Sequence, residues 1–267
     1  MELFSLENKT AIVTGAAGLL GKAHAEALAE AGANVVLADL DEDKCAEIAA
    51  SFGNDHMGVE LDVTKPDSVN MARKKIMERY GRIDVLVNNA AINDMFENPL
   101  LGAEQSMFEH YPLNMFNQSW HVNVTGVFLC SQVFGSVMVS QGYGSIINIA
   151  STYGIVAPDQ SLYRNKDDEQ NFYKSPSYPV TKSAVIGFTK YLAAYWGKKN
   201  IRVNSLSPGG VENKQDDFFI DKYASKTLLG RMANKNDYKG AVVFLASDAS
   251  AYMTGANLVV DGGWTVI

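Results

Sequence analysis

Apolar residues in this chain come in short runs separated by longer amphipathic stretches, and the two alternate almost from end to end. Thr10 to Thr14, Asn34 to Ala38, Met57 to Leu61, Ile83 to Val87, Ser145 to Ile149, Ile201 to Leu206 and Asn257 to Val260 have the length and content of buried strands. Between them, Leu19 to Ala31 and Asp41 to Ser51 read as helices, and Pro66 opens a third that runs to about Tyr80. Apolar strands alternating with helices predict a doubly wound α/β fold: a parallel sheet of about seven strands, covered on both faces, in one domain over residues 1–267.

Two segments interrupt the alternation. Residues 92–116 are long and irregular, with Met95, Phe96, Met107, Phe108, Tyr111 and Met115 among polar positions. Residues 155–177 are polar and carry Arg164, Lys166, Asp167, Asp168, Glu169 and Lys174. Loops this long in a compact domain are usually functional or disordered.

Composition narrows the partners. The 267 residues are 47% hydrophobic, enough for a full core, and the net charge of −7 leaves no basic surface to track a nucleic acid. Cys45 and Cys130 offer no disulfide framework, and the four histidines show no metal-ligand spacing, so no metal is expected. The most apolar long stretch, Val122 to Val139, is broken by Asn123, Ser131, Gln132 and Ser136 and reads as a buried helix rather than a membrane span. Met1 to Thr10 lacks the pattern of a signal peptide. The expectation is a cytoplasmic protein with a small-molecule substrate.

Candidate chemistry gathers where strands end. Gly15-Ala16-Ala17-Gly18-Leu19-Leu20-Gly21 joins the first strand to the first helix, where glycine lets a backbone approach a pyrophosphate on a helix N-terminus. Asp39, followed by Leu40, closes the second strand. Its carboxylate can bind the adenosine ribose hydroxyls and repel a 2′-phosphate, which points to NAD; capping the next helix is the competing use. Asp62-Val63 is an adenine contact or a turn start, and Asn88-Asn89-Ala90-Ala91 offers small residues for close cofactor approach.

Tyr178-Pro179-Val180-Thr181-Lys182 sets a phenol and an ammonium four residues apart, hence on one face of a helix. A free phenol titrates near pH ~10, and a nearby cation lowers that value. Such a pair suits proton exchange in alcohol–ketone interconversion. The spacing alone is weak: 12 tyrosines and 17 lysines yield about one match by chance, and Tyr195/Lys199 repeats it.

Taken together, Asp62, Asn88-Asn89-Ala90, Asn123, Ile149-Ala150-Ser151, Tyr178/Lys182, Asn204, Pro208-Gly209 and Val260-Asp261-Gly262-Gly263 resemble the short-chain dehydrogenase/reductase family over nearly the whole chain. The resemblance implies a Rossmann-type fold and favours Tyr178 over Tyr195. It implies Tyr178 as general acid/base, Lys182 as the group that lowers its pKa and binds the nicotinamide ribose, and Ser151 as hydrogen-bond partner of the reacting oxygen. Asn123 would hold a water in a proton relay. Gly15, Gly18, Leu19, Leu20, Gly21, Asp39, Leu40, Asp62, Val63, Asn89, Ala90, Ala91, Pro208, Gly209, Val211 and Asn213 would bind NAD together with Tyr178 and Lys182. A dimer or tetramer, paired through the helix carrying Phe188, Tyr191, Leu192 and Tyr195, is implied as well.

The sequence also departs from the family pattern. Leu19 stands in the middle-glycine position, so the loop reads Gly-x-x-Gly-x-x-Gly, as in the sugar-nucleotide-modifying branch whose extra C-terminal domain is absent here. Ala91 replaces a usual glycine, and Asn213 a usual threonine. Ser151 and Tyr178 lie 27 residues apart, about twice the usual interval, which makes residues 155–177 an insertion anchored on both catalytic positions. The expected activity is NAD-linked interconversion of a secondary alcohol and a ketone on a hydroxylated substrate, similar to reductases of bacterial surface-sugar synthesis. A sugar-nucleotide epimerase or dehydratase and a non-catalytic nicotinamide-binding regulator are the alternatives.

Overall fold

Seven strands form one parallel sheet in the order β3-β2-β1-β4-β5-β6-β7 in the computed structural model, which describes residues 2–93, 102–170 and 172–267. They are β1 (Thr10–Thr14), β2 (Asn34–Asp39), β3 (Met57–Glu60), β4 (Val85–Asn88), β5 (Gly144–Ile149), β6 (Ile201–Pro208) and β7 (Asn257–Val260). β1 pairs with both β2 and β4, so the chain winds outward in opposite directions from that point. The crevice beyond the C-terminal ends of β1 and β4 is therefore the switch point at which such sheets bind ligands.

Side-chain alternation along the strands builds the two covered faces. Ala11, Val13, Val35, Leu37, Val85, Val87, Ile147 and Ile149 face one core, packed against α1 (Leu19–Glu30), α2 (Glu42–Phe52) and the C-terminal helix Lys239–Ala246. Ile12, Val36, Ala38, Leu86, Ile146 and Val203 face the other. That second core is completed by α3 (Pro66–Tyr80), by Cys130, Phe134 and Met138, and by Leu192, Ala193 and Trp196. Strands buried on both faces read as continuous apolar runs, which is why they were legible in the sequence.

Two expectations need correction. Residues 113–116 are not irregular: α4 (Leu113–Trp120) starts at Pro112 and runs through a wider π turn, His121–Thr125, into α5 (Gly126–Gln141). This continuous stretch is long and apolar enough to cross a membrane by composition. Half of its most apolar window is buried inside the domain, where Val127, Cys130, Phe134 and Met138 are core residues. Strand β6 also runs two residues further than its apolar pattern suggested, because β5 and β7 pair with it along its length and carry it to Pro208. Met95 and Phe96 lie outside the described residues.

Candidate active site

The glycine loop is held in place by β4. Thr14 Oγ1 accepts from the backbone N–H groups of Asn89 and Ala90, both at 3.0 Å, and Asn89 Nδ2 donates to Thr14 O at 2.9 Å. This stitching draws the two strand ends together so closely that a Cβ on Gly15 would stand 2.8 Å from Ala90 Cα, and Gly15 has φ of +64°. A Cβ on Gly21 would stand 2.1 Å from Gly15 O. Only glycine satisfies both constraints. Asp39 completes the loop: Oδ2 accepts from Ala17 N at 2.9 Å, and Oδ1 accepts from Leu40 N. Gly18 makes no side-chain cap at the start of α1, leaving that N-terminus to a ligand of another kind.

The loop forms one end of a cavity of about 530 Å³ that runs along the C-terminal ends of the strands. Its walls include Gly15, Gly18, Leu19, Leu20, Gly21, Asp39 and Leu40, then Asp62, Val63, Asn89, Ala90 and Ala91. Pro208, Gly209 and Val211 follow, with Ser151, Tyr178 and Lys182 at the far end. An elongated crevice with a tight glycine cradle, an uncapped helix start and a carboxylate at β2 suits a dinucleotide.

Tyr178 and Lys182 lie in the first turns of α6 (Ser177–Trp196), where Pro179 is tolerated because its missing N–H has no intrahelical partner. Tyr178 and Ser151 both line the cavity, and Ser151 Oγ accepts from Tyr153 N at 3.2 Å. Burial pushes the Tyr178 phenol above its ordinary value, and the Ser151 hydroxyl pulls it back. Lys182 is buried, donates to Ile149 O at 2.7 Å and stands 5.7 Å from the Tyr178 ring centroid. Burial lowers its pKa to about 8. The ammonium is directed at a carbonyl, and desolvation is the leading influence at both groups. Tyr195 and Lys199 repeat the spacing away from the cavity, with Tyr195 60% exposed.

Two expected site residues are placed differently. Asn123, in the π turn, is buried and has no face on the cavity. Its Oδ1 accepts from Ile92 N at 2.8 Å, and its Nδ2 donates to Ile92 O and Thr181 Oγ1. The side chain therefore ties Ile92 to α6 through protein partners. Asn213 is exposed and outside the cavity; its N–H donates to Gln215 Oε1, and Gln215 takes its place in the wall. The chain turns away after Val211, whose carbonyl accepts from Gln215 Nε2.

The 155–177 segment borders the same cavity. Asp159 is ion-paired with Lys226, which holds its pKa at about 2, and Lys222 Nζ donates to Ser161 O. These contacts fasten the segment to α7 (Asp217–Ala224) and to the turn that follows it. Tyr163 packs on Phe172 and Phe219 with ring centroids 5.1 and 5.9 Å away, and its hydroxyl meets that of Tyr153 at 3.2 Å. Arg164, Asn165 and Gln160 hold the segment to itself. Arg164 pairs with Asp168, Asn165 with Glu169, and Gln160 with the backbone of Lys174. Tyr173 lines an outer groove rather than the cavity. Tyr153, Lys174, Gln215, Phe219 and Tyr223 are among the cavity residues that sequence reasoning missed. Only Tyr153, two positions after Ser151, carried a local signal.

Comparison with known proteins decides the family. A family model described as enoyl-(acyl carrier protein) reductase matches residues 15–265. D-threitol dehydrogenase of Mycolicibacterium smegmatis is 36% identical over 271 residues, covering 98% of this chain and 95% of that protein. The chain belongs to the short-chain dehydrogenase/reductase family. A second short-chain relative, the NAD-dependent glycerol dehydrogenase of Listeria innocua, is 31% identical and covers 98% of this chain and 96% of its own length. The crystal structure of a gluconate 5-dehydrogenase from Burkholderia cenocepacia in complex with NADP and tartrate superposes with a TM-score of 0.86. It shares 31% identity, with 99% of this chain and 98% of that one covered. Membership in this family brings a nicotinamide cofactor, which the cradle at Gly15 and Gly21 fits on its own geometry.

Proposed function

We propose that the protein interconverts a secondary alcohol and its ketone with NAD(H), acting on a small hydroxylated substrate of polyol or sugar-like character. The observation that carries this reading is the meeting of Ser151, Tyr178 and Lys182 at one end of a cavity whose other end is a glycine cradle. When bound, the nicotinamide supplies the hydride acceptor or donor. The chain supplies position and the proton. Tyr178 takes the proton of the substrate hydroxyl during oxidation and returns it during reduction, while Ser151 hydrogen-bonds the same oxygen. Lys182, fixed on Ile149, sets the electrostatic environment of the phenol and hydrogen-bonds the nicotinamide ribose.

Asp39 supports NAD as the preferred cofactor, because a carboxylate at the end of β2 repels a 2′-phosphate. The neighbour crystallised with NADP makes this a question for measurement rather than analogy. The polyol dehydrogenases among its relatives support a hydroxylated substrate. The experiment is a screen of alcohols, polyols and sugar derivatives with NAD, followed at the NADH absorbance. Net NADH formation on a simple polyol is the expected result. Turnover of a sugar nucleotide without net NADH would instead indicate an epimerase or dehydratase.

A further inference from the structure

The insertion brings a second phenol up to one that is already fixed beside Ser151. Tyr153 sits in the single turn Thr152–Gly154, where its N–H donates to Ser151 Oγ at 3.2 Å. Thr152 Oγ1 donates to Pro208 O at 2.8 Å, and a Cβ on Gly154 would stand 2.9 Å from the Lys182 backbone. The turn is therefore packed hard against α6 and holds Tyr153 in register with the reacting groups. Tyr163 ends another turn, Gln160–Tyr163, which Asp159 caps by accepting from Ser161 N at 2.9 Å. Both tyrosines line the cavity, and their hydroxyls meet at 3.2 Å.

Such a pair leaves one donor over. Each phenol carries one proton and two lone pairs, and the bond between them uses one of each kind. Among the described residues neither hydroxyl has another hydrogen-bond partner, so one O–H is left to donate and lone pairs are left to accept. Burial pushes Tyr153 up to about 12 and Tyr163 well above the ordinary phenol value. Both are thus protonated at neutrality and serve as neutral hydrogen-bonding groups. Their surroundings are aromatic: Tyr163 is 5% exposed and packs on Phe172 and Phe219, while Trp264 stacks on Tyr223 at 4.4 Å and meets Tyr153 edge to face. A hydroxyl proton in such surroundings is costly to leave unpaired. Groups fixed before binding lose little freedom when a ligand arrives.

We infer that Tyr153 and Tyr163 are specificity-determining residues that bind a second substrate oxygen, away from the reacting one, with the carbon skeleton lying on the aromatic wall. The substrate class this selects is a hydroxylated ring, a cyclitol or a pyranose. The C–H surface of a saturated ring matches the aromatic carbon of Tyr163, Phe219 and Tyr223, and the phenol pair matches a hydroxyl on that ring. Tyr178 and Ser151 take the reacting oxygen. This deepens the proposed function and rests on its placement of the reacting oxygen at Tyr178.

The test compares trans-cyclohexane-1,4-diol with cyclohexanol, which differ by one hydroxyl remote from the reacting carbon, in the unmodified protein, Tyr153→Phe and Tyr163→Phe. The ratio of kcat/KM for diol over mono-ol, halved for the diol's two equivalent hydroxyls, should favour the diol in the unmodified protein. It should fall about fivefold in each variant, chiefly through KM, as for a lost neutral hydrogen bond. A hydroxyl pair that only ties the insertion to the Ser151 turn would depress both substrates together and leave the ratio unchanged, which overturns the inference. So does a halved ratio near one in the unmodified protein. The ring is tested by cyclohexanol over propan-2-ol: kcat/KM should be at least about tenfold higher for the ring, and Phe219→Ala should shrink that advantage. Equal efficiency contradicts the inference. Calorimetric titration of the diol into the protein–NADH complex repeats the first comparison without turnover. Binding weakened about fivefold in both Phe variants supports the inference, and equal or absent binding contradicts it. A protein that binds the diol through the two phenols but oxidises no alcohol would sink the functional reading alone.

Discussion

Lys182 Nζ donates to the carbonyl oxygen of Ile149 at 2.7 Å while standing 5.7 Å from the centre of the Tyr178 ring. The cation is thereby fixed at the end of β5, two residues before Ser151, instead of being bonded to the phenol. With burial raising the phenol and lowering the ammonium to about 8, protonated Tyr178 is the form present at neutrality, ready to donate. Alcohol oxidation needs the phenolate. Its kcat/KM is expected to rise with pH from 7 to 9, by up to roughly tenfold per unit, while ketone reduction does not rise. Initial rates in both directions across that range check this, and a flat oxidation profile would contradict it.

Asp39 holds the glycine loop through Ala17 N, so its carboxylate is fixed rather than free to swing aside for a phosphate. NAD is expected to give a higher kcat/KM than NADP. Asp39→Ser should narrow the gap by at least about tenfold, a change of roughly 1.4 kcal/mol. Equal efficiency with both cofactors in the unmodified protein would refute the assignment.

His24 in α1 is fully buried, and neither ring nitrogen has a hydrogen-bond partner among the described residues; burial lowers its pKa to about 4. Its unfolded value is near ~6.5, so between these values the unfolded chain binds the extra proton. The stability contributed by neutral His24 is complete above pH ~6.5 and is lost as pH falls towards 4, amounting to about 3 kcal/mol. Urea unfolding at pH 7 and pH 4.5 should show this loss, and His24→Leu should remove most of it. An unchanged pH dependence in the variant would contradict the account.

On α6, Phe188, Tyr191 and Tyr195 form a ladder of rings, with centroids 6.3 and 6.0 Å apart and near-parallel planes. Phe128 of α5 lies alongside Phe188, and Phe128, Tyr191 and Tyr195 are exposed. A stacked aromatic face this open is expected to pair with a second copy about a two-fold axis. Light scattering at micromolar concentration should give a dimer or tetramer mass, and Tyr191→Lys with Tyr195→Lys should reduce it. A monomeric mass for the unmodified protein would count against assembly.

Much of this was readable from sequence because the sheet is buried on both faces and its ligand loops are short. Gly15, Asp39 and Asn89 sit within a few residues of strand ends, so their proximity follows from a parallel sheet alone. What was not legible depends on long-range folding of irregular chain. Lys174 enters the cavity because Gln160 and Gln170 turn their amides onto the backbone, and no periodicity encodes that. The bonds of the Asn123 side chain to Ile92 depend on the π turn, which no sequence pattern shows. Sequence gives the spacing of Tyr178 and Lys182 but not the desolvation around them, which raises the phenol and lowers the ammonium.

The most direct test of the central claim is the turnover of Tyr178→Phe against Tyr195→Phe, with NADH binding measured in both. The account predicts that kcat falls by roughly 10²–10⁴-fold in Tyr178→Phe while NADH still binds, and changes little in Tyr195→Phe. A Tyr178→Phe protein that binds NADH and keeps its activity, or two variants that behave alike, would contradict it.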